Sequence, residues 1–201
     1  MRSQFQWKHK KNDQRRKKKP MAHFPTTLFL LVSFLLGLSC AGPAVMDAGV
    51  YGDICIRCKD RGFCLAALGS DRRSATADLT GLGYIAIDLM NKNLTATYNK
   101  LMTLNGQAIN PALKKRVDTC LILYHDSIIT CARDLGGYLK SARYDDLLRH
   151  TLVVGENGID CENSFKINPP YPSPLTRENQ NIDLLSDILY VISVILSTGG
   201  P

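Results

Sequence analysis

The sequence predicts an all-α fold, an up-down-up-down four-helix bundle, on three observations. In residues 111–141, PALKKRVDTCLILYHDSIITCARDLGGYLKS, the apolar and semi-apolar positions are Leu113, Val117, Cys120, Tyr124, Ile128, Cys131, Leu135 and Tyr138. Their spacings of three and four place them on one helical stripe, the seam of a helix packed in a bundle. Two further stretches carry comparable stripes, a third reads as helical, and the connections are short, which makes neighbours antiparallel. No stretch alternates apolar and polar residues as a half-buried strand does, and no internal repeat or domain break occurs.

The chain begins with a leader. Its formal net charge is +7, which by itself suggests a nucleic-acid or membrane partner, but residues 1–20 hold nine Lys/Arg and one Asp. Residues 21–44 hold no charged residue, so residues 45–201 are close to neutral and the basicity belongs to the leader. The apolar run TLFLLVSFLLGL is shorter than the ~20 residues a transmembrane helix needs. It ends in the small residues SCAGPA, the pattern of a secretory signal peptide with cleavage after Ala41 or Ala44, which removes Cys40. Met21 sits just before the apolar run and is the expected working start; a long basic n-region is the alternative. The expected organisation is therefore a leader over residues 1–44 and one domain over 45–201.

Residues 51–70 are short, polar and Cys-rich and read as an N-terminal extension. The first long helix is expected from Ser74, with Ser74 as N-cap and Asp78 as an early acidic residue. Its stripe is Leu79, Leu82, Ala86, Met90, Leu94, Tyr98, Leu101 and Leu104, and Asn105-Gly106 closes it. Asn93-Leu94-Thr95 is a glycosylation sequon, open to modification in a secreted chain if exposed. Asn110-Pro111 opens the second helix, expected to run to Ser141 although Gly136-Gly137 weakens its end. A third covers Tyr144 to Lys166, with Gly155 and Gly158 as weak points. NPPYPSP is a stiff, non-helical linker, and Ser173-Pro174 begins the last helix, whose stripe is Ile182, Leu185, Leu189, Ile192 and Ile195 or Leu196.

An oxidising compartment makes disulfides the default for Cys55, Cys58, Cys64, Cys120, Cys131 and Cys161. Cys120 and Cys131 are ~16 Å apart along one helix, too far to bond. If the chain reverses near residue 141, the returning helix brings Cys161 closer to Cys120 than to Cys131. That bond closes a loop of about 40 residues and contributes roughly 4 kcal/mol in the chain-entropy model. In the N-terminal trio, Cys55–Cys64 and Cys58–Cys64 are both open. A CxxC also occurs in zinc and redox motifs, but no second CxxC or nearby His completes a zinc set. Cys131 is expected as a small buried core residue.

With these residues in place, the chain resembles the plant invertase and pectin methylesterase inhibitor family over about residues 50–197. The family pattern C-x2-T-x2-P-x2-C aligns as Cys55, Cys58 where Thr is usual, Arg61 where Pro is usual, and Cys64. FCLAALGSDRRSATADLTGLGYIAID, PALKKRVDTCLILYHDSI, DCENSFK and SPLTRENQNIDLLSDI match further segments. Within the family, the similarity is greatest to the group of candidate invertase inhibitors that includes plane-tree pollen allergens. The resemblance implies a four-helix bundle with an N-terminal helical hairpin extension, and disulfides Cys55–Cys64 and Cys120–Cys161. It implies a cell-wall (apoplast) or vacuolar location and a 1:1 complex with an acid invertase or a pectin methylesterase, with no cofactor.

Invertase inhibitors of this family carry a Pro-Lys-Phe loop between the second and third bundle helices that resembles a plug for the sugar site. Here the position reads Ala142-Arg143-Tyr144, which keeps a cation followed by an aromatic. An invertase cleft holds two carboxylates. Arg143 can pair with one of them and Tyr144 can stack as a sugar ring does. The alternative leaves Arg143 solvated and Tyr144 in the core at a helix start. Pectin methylesterase inhibition would use a bundle face, and a third possibility is the same fold without inhibition. Catalysis is not expected. Beyond the leader only His125 and His150 remain, and adjacent residues His125-Asp126-Ser127 point to different helix faces. No G-x-S-x-G, HExxH or phosphate-binding glycine loop occurs.

Overall fold

The computed structural model of the protein describes residues 49–108 and 110–199. The basic leader, Met21, the apolar run, Cys40 and the boundary between residues 44 and 45 lie outside the described residues. Among the described residues all regular structure is helical. A hairpin comes first, α1 (Gly49–Ile56) and α2 (Arg61–Gly69), followed by a 3-10 turn (Arg72–Ala75). Then come α3 (Leu79–Gln107), α4 (Pro111–Thr130), a π-helical turn (Cys131–Leu135), α5 (Gly136–Lys140), α6 (Tyr144–Ser164) and α7 (Thr176–Ser197). In the bundle α3 packs on α4, α4 on α6, α6 on α7 and α7 on α3, closing a ring of antiparallel neighbours.

Asp78 begins α3: its side chain accepts from the Gly81 backbone N–H, and its ψ of 179° is extended. The expected cap, Ser74, is instead a buried residue of the preceding 3-10 turn. Asn110 caps α4 by accepting from Ala112 and Leu113, with Pro111 at the first helical position, as the sequence indicates. The last helix starts at Thr176, later than Ser173-Pro174 suggests, because Ser173 Oγ accepts from Leu175 N in a turn outside the helix.

The expected second helix is one continuous rod divided in character. Between Cys131 and Leu135 the backbone holds an extra residue per turn. Cys131 and Leu135 are buried as expected, and past the π turn the stripe continues at Leu139, with Tyr138 only half-buried. Before the turn Ser127 faces the core and the expected Ile128 is half-buried at its edge.

Among the described residues two disulfides are present, Cys55–Cys64 within the hairpin and Cys120–Cys161 between α4 and α6. Cys58 and Cys131 are free, and the buried Cys131 thiol faces Ile87 O at 3.5 Å. The core is dominated by Leu, Ile and Val from all four bundle helices. α7 is apolar and long enough to cross a membrane, but most of its apolar residues are buried in the bundle core. It is buried on more than its bundle face because α1 and α2 also lie against it. The hairpin turn is fastened there: Lys59 N donates to Asp187 Oδ2 at 2.7 Å and Lys59 Nζ to Asp183 Oδ1 at 2.9 Å.

The linker before α7 is held by Arg116. This guanidinium, 8% exposed, donates to the carbonyl oxygens of Ala112, Ile167 and Pro169. A polar relay crosses the bundle nearby. Tyr124 Oη donates to Asn179 Oδ1 at 2.8 Å, and Asn179 Nδ2 donates to Glu162 Oε2 at 2.8 Å.

Candidate functional site

The connection between α5 and α6 is made by Ser141, Ala142 and Arg143, and it stands at one end of the bundle. α5 is closed by two bonds, from Arg143 N to Tyr138 O at 2.9 Å and from Ala142 N to Leu139 O at 3.3 Å. This closure needs a left-handed residue, and Ala142 fills the place with φ of 53°. An alanine there costs about 1 kcal/mol relative to glycine. α6 then starts without a side-chain cap, but Asp145 and Asp146 lie in its first turn, where the helix dipole favours negative charge.

The backbone turn lifts Arg143 into solvent. Its side chain is 58% exposed and its Nε donates to Asp146 Oδ2 at 2.8 Å. Its guanidinium carbon lies 4.9 Å from the centroid of the Tyr138 ring, within cation–π range. Tyr138 is backed in turn by His150, with ring centroids 5.0 Å apart and Oη–Nε2 at 3.4 Å. Arg149 reaches Asp146 Oδ1 at 3.2 Å. Beside this cluster is an open concavity of about 370 Å3 lined by Ala142, Arg143, Tyr144, Asp145, Asp146 and Ser197.

Of the three loop residues read from the sequence, Ala142 and Arg143 are exposed and Tyr144 is half-buried against the core. The ring of Tyr144 therefore supports the loop from below, and the aromatic face paired with the cation is that of Tyr138. Tyr138 and Asp146 are the residues that sequence reasoning missed. Asp146 has a signal, an acid three residues after an arginine at a helix start. Tyr138 is legible only as a stripe residue; nothing in the sequence marks the approach of Arg143, whose N–H bonds the Tyr138 carbonyl in the α5 closure.

Asn93 lies apart from the loop, midway along α3. It is half-buried, its Nδ2 donates to Leu89 O at 3.0 Å, and it borders a groove of about 280 Å3 with Phe63, Ala67 and Leu185. The four bonded cysteines are buried and take no part in the loop cluster.

The loop end thus presents an exposed cation over an aromatic ring, paired with the carboxylate of Asp146. Comparison with known proteins gives the chain a family. The profile for "Plant invertase/pectin methylesterase inhibitor" matches residues 51–196. A "Pectinesterase inhibitor" of Actinidia deliciosa is 32% identical over 170 residues, 85% of this chain and 91% of that protein. A candidate invertase inhibitor of Platanus acerifolia is 28% identical over 174 residues, 84% of this chain and 97% of that protein. The crystal structure of a mutant form of a pectin methylesterase inhibitor from Arabidopsis has the same fold, with a TM-score of 0.63 at 22% identity. That match covers 71% of this chain and 93% of the other. By the extent of the profile match and the identity to the Actinidia protein, the chain belongs to the plant invertase/pectin methylesterase inhibitor family.

Proposed function

We propose that the protein is a secreted inhibitor that blocks a plant acid invertase in a 1:1 complex, with Ala142, Arg143 and Tyr144 at the contact. The observation that carries this reading is the exposed Arg143 guanidinium, pre-set over Tyr138 and paired only with the surface carboxylate of Asp146. An invertase cleft offers two carboxylates. One of them can replace Asp146 as the partner of Arg143, so the inhibitor gives up an exposed pair, worth little, for a desolvated one. The left-handed Ala142 turn keeps the loop short and pre-organised, which lowers the ordering cost of binding. In this reading residues 1–44 are removed on secretion to the cell wall or vacuole.

Pectin methylesterase is the second target class, favoured by the Actinidia relative. It would be met by a bundle face and not by the loop. Titrating the secreted protein against a cell-wall invertase and a pectin methylesterase in parallel, at mildly acidic pH, separates the two. Arg143→Ala is expected to weaken invertase inhibition about thirty-fold, ~2 kcal/mol for truncating one partner of a buried charge pair. Unchanged invertase inhibition by a folded Arg143→Ala/Tyr144→Ala variant removes the loop from the site. Inhibition of the esterase alone transfers the function to the second class.

A further inference from the structure

The turn between α1 and α2 brings three sulfurs together where a single disulfide needs two. Cys55 and Cys64 are bonded, and the Cys58 Sγ lies 3.7 Å from the Cys64 Sγ, about van der Waals contact. Cys58 is half-buried, and its thiol also faces Ile54 O at 3.5 Å. A thiol in contact with a disulfide sulfur is placed for exchange.

We propose that this turn is a thiol–disulfide exchange site, in which Cys58 attacks Cys64 and the hairpin carries either a Cys55–Cys64 or a Cys58–Cys64 bond. The step balances within the chain. Cys58 gives up its proton to solvent and its sulfur bonds to Cys64 Sγ. The Cys55–Cys64 bond breaks, and Cys55 leaves as a thiolate that takes a proton from solvent. One disulfide and one thiol exist before and after, so no oxidant or reductant is needed.

The two isomers differ in what they restrain. Cys55–Cys64 ties α1 to α2, whereas Cys58–Cys64 closes only the turn. In the second isomer α1 is held by packing alone, through the buried Tyr51 and Ile54. Burial, with a smaller push from the Asp187 carboxylate, drives the Cys58 thiol up to about 12. Native packing thus keeps the thiolate scarce and the first isomer long-lived, and loosening the turn from Asp183 and Asp187 speeds the exchange.

The full secreted chain with Cys55→Ser provides the test. Formation of Cys58–Cys64 on oxidative folding is expected, which leaves one reactive thiol, Cys131, when thiols are counted in denaturant. Three reactive thiols, those of Cys58, Cys64 and Cys131, overturn the proposal. The wild-type chain gives an independent check that does not depend on the variant folding. It is held at pH 8, pulse-labelled with N-ethylmaleimide and digested with trypsin, which cuts after Arg57 and separates Cys55 from Cys58. Label on the Cys55 peptide, lost in Cys58→Ser, is the expected result; label confined to Cys58 and Cys131 at all times overturns it.

Discussion

Glu162 joins helices through one carboxylate. It accepts from Asn179 Nδ2 at 2.8 Å and from Thr176 Oγ1 at 2.9 Å, and Asn179 in turn accepts from the buried Tyr124 hydroxyl. Burial pushes the Glu162 carboxyl up, but its hydrogen bonds, led by that from Asn179, outweigh burial and hold it below its ordinary value. Glu178 behaves alike, with the Lys100 ammonium at 2.7 Å outweighing burial. Both folded-state values are depressed. Their contribution is therefore present above the unfolded carboxylate pKa, near ~4.3, and is lost as pH falls through the lower folded value. The thermal midpoint is expected to be level from neutral pH to about 5 and to fall below about 4.5. Glu162→Gln is expected to cost about 1–2 kcal/mol at pH 6, as the loss of charge-assisted hydrogen bonds does. Its acid decline should also be shallower, and a wild-type slope below pH 4.5 in that variant would place the acid sensitivity elsewhere.

At the scale of elements, α7 closes on α6 at Gly155 and Gly158. A Cβ on Gly155 would collide with Ser186 Oγ, and one on Gly158 would sit 3.1 Å from Asn179 O. In the sequence these glycines read as weak points of a helix, since propensity alone argues against them. Their use is visible only when the facing helix is in place. Gly137, by contrast, has a helical backbone and open space within 4 Å of where a methyl group would stand. Gly155→Ala is expected to destabilise by about 1–3 kcal/mol through overpacking, with part of the loss recovered by adding Ser186→Ala. Gly137→Ala is expected to stabilise by about 0.5–1 kcal/mol. Urea unfolding of these variants checks both signs. The helices themselves were legible because spacings of three and four mark a buried stripe wherever the backbone keeps its ideal period. The residue that continues the stripe past Leu135, Leu139 and not Tyr138, was not, because a π-helical turn changes backbone bonding without requiring a particular residue type.

For the whole molecule, the position of the proposed contact loop relative to the disulfides has a testable consequence. Arg143 could be picked out from the chain by resemblance to a family loop, and Asp146 by its spacing from it, but the Tyr138 platform could not. Tyr138 lies beneath the Arg143 guanidinium at the closure where Arg143 N bonds Tyr138 O, and Asp146 holds it from the first turn of α6. The Cys120–Cys161 bond, by contrast, was foreseeable from helix length and chain reversal. It joins α4 to α6 at positions 41 residues apart in sequence. Cys120 precedes the Ser141 turn by about 30 Å of helix, at 1.5 Å per residue. Removing this bond should release the unfolded chain without disturbing the loop end. Cys120→Ala/Cys161→Ala is expected to lose about 3–4 kcal/mol of stability in the chain-entropy model. Well below its lowered midpoint, however, its inhibition constant for invertase should match that of the wild type. Equal inhibition with lowered stability fits a contact confined to the bundle end. Weakened inhibition, with helical content retained by circular dichroism, would instead point to a bundle face that includes α4 and α6, the surface expected for the esterase reading.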